Sequence, residues 1–281
     1  MATESHNCFA NKSALIFGGG NGIGRAIALE FARRGARVAV ADIDVEGAQE
    51  TVASITAAGG EAAVFLCDVT SDESVQSTIE QAEMAFGEID IVVNNVGVIV
   101  SGNPEDVPPA EWQRIIDLNL MPVVRSNHIF LPKLLQRGRG HIVNTASFSG
   151  LYPYASNRIP YAASKAAVVA LSESLALYLE PKGIRVSCFC PGPVMTNVMK
   201  SMKSWSEDAV MSGPGSQFGL MSAEQSAVVL ADGMETGKIF IPTHEQVVEV
   251  MQQHAADPDA FIHQKILDIA SGDLGLPKRP V

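Results

Sequence analysis

Positive charge is scarce in this 281-residue chain: 20 Lys and Arg stand against 31 Asp and Glu, a formal charge of −11. Nucleic-acid binding rests on basic patches that neutralise phosphates, so that class is disfavoured. Any phosphate bound here must be held mainly by backbone N–H groups. Aromatic residues make up only 6% of the chain. Cysteine is limited to Cys8, Cys67, Cys188 and Cys190. Their spacing fits no metal site, so reduced core thiols are expected. The histidines His128, His141, His244, His254 and His263 are scattered, and a zinc-dependent mechanism is disfavoured. No unbroken apolar run approaches the roughly 18 residues of a membrane span. The first residues, MATESHNCFANK, carry neither an apolar core nor a basic start, so a secretory leader is not expected. A cytoplasmic protein, without nucleic-acid or membrane partners, is the expectation.

What is present is a β–α alternation. Residues 13–17, 37–41, 62–67, 89–94, 141–146, 184–189 and 238–242 are short, almost continuously apolar runs, as in strands covered on both faces. The stretches between them place apolar residues every three or four positions, as amphipathic helices do. This predicts an α/β, Rossmann-type doubly wound parallel sheet of about seven strands with helices on both faces. No repeat or long linker interrupts it. A single domain over 1–281 is expected: a core at about 10–245, a lid at 195–222, and a C-terminal helical extension at 245–281. In the extension, Asp257 and Pro258 predict a helix start and Gly272 a stop. Phe261, Ile262, Ile266 and Ile269 form an apolar stripe there.

Gly18, Gly22 and Gly24 lie between the first strand and the first helix, with Asn21 and Ile23 among them. A glycine turn lets backbone approach a ligand closely, and a helix N-terminus favours a pyrophosphate. Asp42 ends the second strand, 18 positions after Gly24. A carboxylate there can accept from both ribose hydroxyls and would repel the extra phosphate of NADP. With Asn at 21 and Ile at 43, NAD is the expected cofactor.

Tyr161 and Lys165 are four positions apart, on one side of a helix. An ammonium about 4 Å from a phenol, at an effective dielectric near 20, stabilises the phenolate by roughly 4 kcal/mol. That would bring the phenol from about 10 to near 7, a usable general base. Helix 161–180 is small or apolar on nearly every side, which predicts a subunit interface and a homodimer or homotetramer.

Together these residues resemble the short-chain dehydrogenase/reductase family over roughly 10–245. The turn resembles its T-G-x-x-x-G-x-G, with Phe17 in place of Thr. NNVG (94–97) resembles N-N-A-G, NTASFSG (144–150) its serine segment, YAASK (161–165) its Y-x-x-x-K, and CPGPVMT (190–196) its P-G segment. The resemblance implies catalytic roles for Asn119, Ser147, Tyr161 and Lys165. It implies cofactor contacts from Gly18, Asn21, Gly22, Ile23, Gly24, Asp42, Asp68, Val69, Asn94, Gly97, Tyr161, Lys165, Pro191, Val194 and Thr196. Ser147 would hold the substrate oxygen. Asn119 would support a water-linked proton path to Lys165, and Pro122 should break the helix beside it. No metal is implied. Residues 195–221 hold five of the ten methionines plus Trp205 and Phe218. With Leu151, Tyr152 and Tyr154 they could wall a bulky apolar alcohol or ketone. The substrate contacts expected are Ser147, Tyr154, Met199, Met202 and Trp205. The implied reaction is NAD-dependent interconversion of a secondary alcohol, steroid-like or aryl, and its ketone. An acyl-thioester reductase and a non-catalytic NAD-binding regulator are the alternatives.

Overall fold

The computed structural model of the chain describes residues 8–196 and 202–277. Seven strands form one parallel sheet in the order β3-β2-β1-β4-β6-β7-β9: β1 (Ser13–Phe17), β2 (Arg37–Asp42), β3 (Ala62–Leu66), β4 (Ile91–Asn94), β6 (Gly140–Thr145), β7 (Ile184–Cys190) and β9 (Phe240–Pro242). A small parallel pair, β5 (Val100–Ser101) with β8 (Lys203–Ser204), lies apart from it. The helices are α1 (Gly22–Arg33), α2 (Val45–Ala57), α3 (Asp72–Phe86), α4 (Pro109–Asn119), α5 (Met121–Arg137), α6 (Ile159–Leu179), α7 (Ala223–Glu235), α8 (Val247–Ala256) and α9 (Pro258–Ser271).

The apolar strands are explained by the two layers. Successive side chains point to opposite faces. Ala14 and Ile16 join a core with α1 and α7 that includes Ile27, Phe31, Leu230 and Met234. Leu15 and Phe17 join a second core with Ile79, Phe130, Leu134 and Leu179. A third cluster, containing Val123, Phe148, Val168, Phe218 and Val247, lies elsewhere in the fold. Phe218 is fully buried there, its ring 5.2 Å from that of Phe148. It is a packing residue, which corrects its expected place in a ligand wall.

Helix ends follow local chemistry. Ser222 and Gln225 form a reciprocal capping box, and the Asp257 carboxylate accepts from the Ala260 N–H. The helical run through Asn119 stops at Leu120 and restarts at Met121, with Pro122 in the new first turn. A proline there has no N–H to offer the carbonyl of Leu118. With its flanking turns, α6 is long and apolar enough to cross a bilayer by length and composition. One side of it nevertheless packs on the sheet, where Ser164, Lys165, Val168 and Ser172 are buried.

His141 on β6 is buried, its Nε2 2.9 Å from Ser187 Oγ, and the Ser187 hydroxyl donates to the Lys238 carbonyl. Ser187 therefore accepts from Nε2–H. Burial, helped by the charge of Arg185, pushes this imidazole down to about 3 from 6.5. Between those two values the unfolded chain binds a proton that the folded chain refuses, so stability drops as pH falls from about 6.5. We expect His141→Gln to flatten that acid limb, by up to about 1.4 kcal/mol per pH unit in urea-unfolding free energy. Parallel acid limbs for the two proteins would show that His141 does not couple folding to pH.

Candidate active site

The turn between β1 and α1 is closed so tightly that a side chain cannot enter. A Cβ at Gly24 would stand 1.8 Å from the Gly18 carbonyl oxygen. The Asn95 amide donates to that same oxygen at 3.3 Å, while its own oxygen accepts from Thr145 Oγ1 at 3.3 Å. Asn95 thus ties the turn to β4 and β6. The N-terminus of α1 has no side-chain cap and no acidic residue in its first turn. The amides at Gly22, Ile23 and beyond therefore meet an anion with no competing carboxylate. The Asn21 side chain is turned away, donating to Asp44 at 2.8 Å. Thr196 crosses above the turn, its Cβ 3.6 Å from where a Gly22 Cβ would be. Backbone donors with no lysine suit the diphosphate of a dinucleotide.

Asp42 organises this turn from the end of β2. Its carboxylate accepts from the N–H groups of Gly20 at 2.8 Å and Asp44 at 3.0 Å. Sequence reasoning saw no cation near it, yet Arg25 donates to the Gly20 carbonyl at 2.9 Å. That guanidinium is taken up by Glu50, 2.8 Å away, and by the Gly47 carbonyl. Asp68 spends its carboxylate on the N–H and hydroxyl of Thr70, which hold it below the usual carboxylate range. Val69 is buried beside it. Asn94 is buried, donating to Asn144, which in turn donates to Ser172. Its side chain braces β4, β6 and α6. Pro191 accepts from the Phe148 N–H at 2.9 Å, and Val194 bridges to Met221.

Ser147, Tyr161 and Lys165 are all buried where β6 ends and α6 begins. The Ser147 hydroxyl accepts from the Ser149 N–H at 3.2 Å and lies near enough to the Tyr161 phenol to ease its ionisation. Lys165 Nζ donates to the Thr145 carbonyl at 2.8 Å. It passes so close to the chain after β4 that a Cβ at Gly97 would be 3.0 Å from it. Asn119 accepts from Val98 N–H at 2.8 Å and donates to the Val98 carbonyl and Ser164 Oγ, both at 3.0 Å. Its amide therefore clamps that segment to α6, a positioning role that spacing alone could not show.

The electrostatics correct one expectation. Burial pushes the Tyr161 phenol up to about 12, and Tyr154 adds to the rise; the Ser147 bond and the Arg158 charge oppose it. Lys165 contributes nothing resolvable, and burial pulls its own ammonium down to about 8. The same dry surroundings disfavour both charged forms, and the ammonium is directed at a carbonyl. Burial thus favours the neutral phenol. Behind them, Cys188 and Cys190 are free thiols with Sγ atoms 3.7 Å apart.

The expected substrate residues separate. Tyr154 donates to or accepts from Ser149 at 2.6 Å, and Tyr152 is fixed by the Pro214 carbonyl at 2.9 Å. Met202 is half-buried. Trp205 follows the β5–β8 pair, its backbone N–H donating to the Ser101 carbonyl and its ring capped by Lys203 Nζ, 3.8 Å from the centroid. Met199 lies outside the described residues. Asn95 and Gly20 are missing from the sequence reading; the side-chain pairing that reveals them exists only across strands.

A doubly wound parallel sheet, with a glycine turn and a Ser–Tyr–Lys group at its strand ends, defines a dinucleotide-dependent oxidoreductase. The chain belongs to the short-chain dehydrogenase family, whose model matches residues 12–207. It is 35% identical to a cyclohexanol dehydrogenase of Acinetobacter sp. over 244 residues, 86% of this chain and 95% of that one. It is also 35% identical to the 7alpha-hydroxysteroid dehydrogenase of Escherichia coli over 193 residues, 68% of this chain and 74% of the other. A short-chain dehydrogenase/reductase from Burkholderia phymatum, solved in complex with NAD, superposes with a TM-score of 0.79 at 28% identity. That match covers 90% of this chain and 95% of the other.

The buried ammonium yields a test. Between about pH 8 and 10.5 the unfolded chain binds a proton at Lys165 that the folded chain has lost, so this group's penalty applies below pH 8 and fades above it. Lys165→Met should abolish turnover yet match or exceed the parent melting temperature at pH 7. That advantage should shrink as pH approaches 10. A Met variant that melts far below the parent at pH 7 would show the ammonium to be a net stabiliser.

Proposed function

We propose that this protein interconverts a secondary alcohol and its ketone, with NAD as its dinucleotide. The observation that carries this reading is that Ser147, Tyr161 and Lys165 are buried together where β6 ends and α6 begins, beside an uncapped α1. The dinucleotide supplies hydride transfer; the chain must manage the proton. In reduction, Tyr161 donates its phenolic proton to the substrate oxygen, which Ser147 holds in place. In oxidation, Tyr161 must first lose that proton, and burial opposes the loss. Lys165, beside Gly97, is the group that would hold a ribose hydroxyl. Asn119 keeps the Gly97–Val98 segment and α6 in register.

NAD is favoured over NADP because Asp42 keeps its carboxylate at the end of β2 and Arg25 is neutralised by Glu50. A bulky apolar alcohol is favoured by the alicyclic and steroid substrates in the names of its relatives, and by Tyr154, Met202 and Trp205 as wall residues. One domain and association into a homodimer or homotetramer complete the reading. Outward on α6, Ala166 and Ala170 are exposed beside Leu177, which is 82% exposed. Small residues let a second helix approach closely, and an uncovered leucine favours its arrival.

Tyr161→Phe should lower kcat at least about 100-fold with cyclohexanol or a hydroxysteroid, while the NAD dissociation constant stays within a few-fold. Unchanged kcat would remove the phenol from the mechanism. Asp42→Ala should erode the preference for NAD over NADP about tenfold or more in kcat/KM, one charge-assisted interaction being worth roughly 1.5–3 kcal/mol. An unaltered ratio would place discrimination elsewhere.

A further inference from the structure

Apart from Ser147, Tyr161 and Lys165, the chain forms a cavity of about 330 Å³. It lies between the start of α6, the 152–158 loop and α9 of the C-terminal extension, with Tyr154, Arg158, Ile159, Ala163, Ile266 and Ile269 in its walls. Ser147, Tyr161 and Lys165 do not line it. Its walls are almost wholly apolar, and its volume falls in the range of small-molecule sites, roughly 300–1,000 Å³. Ile266 is 57% exposed and Ile262 42% exposed, so α9 presents apolar surface that the chain leaves uncovered.

One cation in this wall lacks a counter-charge. The Arg158 guanidinium donates through Nη2 to the Ser212 carbonyl and lies over the Tyr154 ring, 5.6 Å from its centroid. Its Nε is buried and has no hydrogen-bond partner. Among the described residues it forms no ion pair with a carboxylate, in a chain with eleven more acidic than basic residues. Lys265, also in the wall, is already paired with Asp268 at 3.0 Å. A guanidinium that lines a cavity without a counter-charge is matched best by a carboxylate.

We propose that this cavity binds an amphipathic carboxylate. Its apolar chain would lie against Ile159, Ala163, Ile266 and Ile269, with its carboxylate on Arg158. The cavity shares Tyr154 with the proposed substrate wall but none of Ser147, Tyr161 and Lys165, so the carboxylate site stands whether or not the hydride-transfer reading holds. The apolar walls supply affinity without direction, and the guanidinium selects the anion.

Calorimetric titration of the full chain with decanoate, and with decanamide as the uncharged counterpart, tests this. Decanoate should bind at one site, at least tenfold more tightly than decanamide. Arg158→Gln should remove that difference between the two ligands. Ile266→Trp, which fills the cavity from an exposed position of α9, should abolish binding of both. Tyr161→Phe should leave decanoate affinity unchanged, because the phenol does not face the cavity. Equal affinity for acid and amide in the parent would overturn the proposal, as would binding that survives Ile266→Trp. So would an absence of binding accompanied by dissociation of an oligomer in the Ile266→Trp protein, measured by light scattering; the cavity would then be filled by a second copy of the chain.

Discussion

Two ionisable side chains in a dry place set the terms for everything around them. Tyr161 and Lys165 are both buried on the sheet side of α6. Water would accept a phenolate and an ammonium; this environment resists both. Each must therefore be supplied with specific partners. Ser147 stands beside the phenol, and Thr145 offers a carbonyl to the ammonium. Those partners work only if β6 and α6 keep their spacing. Asn144 bonded to Ser172, and Asn119 bonded to Val98 and Ser164, hold that spacing from either side. Gly97 is part of the same constraint, since the lysine stem occupies the space any larger residue would need.

The strands and the doubly wound order were legible because burial on both faces writes itself as unbroken apolar runs. The helix break beside Asn119 was legible because proline chemistry is local. What could not be read was anything decided by direction. Four-residue spacing puts Tyr161 and Lys165 on one side of a helix, but it does not say where an ammonium points, and here it points to Thr145. Nor does it say which of two opposing effects wins: attraction to a nearby cation or the loss of water. Desolvation won at Tyr161. Asp42 could be placed at a strand end by counting, whereas its bonds to Gly20 and Asp44, and the arrest of Arg25 by Glu50, required strand pairing to bring them together. Phe218 looked like a ligand-facing aromatic in a methionine-rich stretch, and sheet-end packing claimed it instead.

The direction of catalysis is bound to that same desolvation. Burial favours the neutral Tyr161 phenol, the form that could donate to a ketone oxygen. Oxidation needs added positive charge close to the phenol, enough to offset burial. Lys165 cannot be the whole of that source, because its own charge is weakened by the same burial. Arg158 is the cation that does reach the phenol, from the far side of Tyr154.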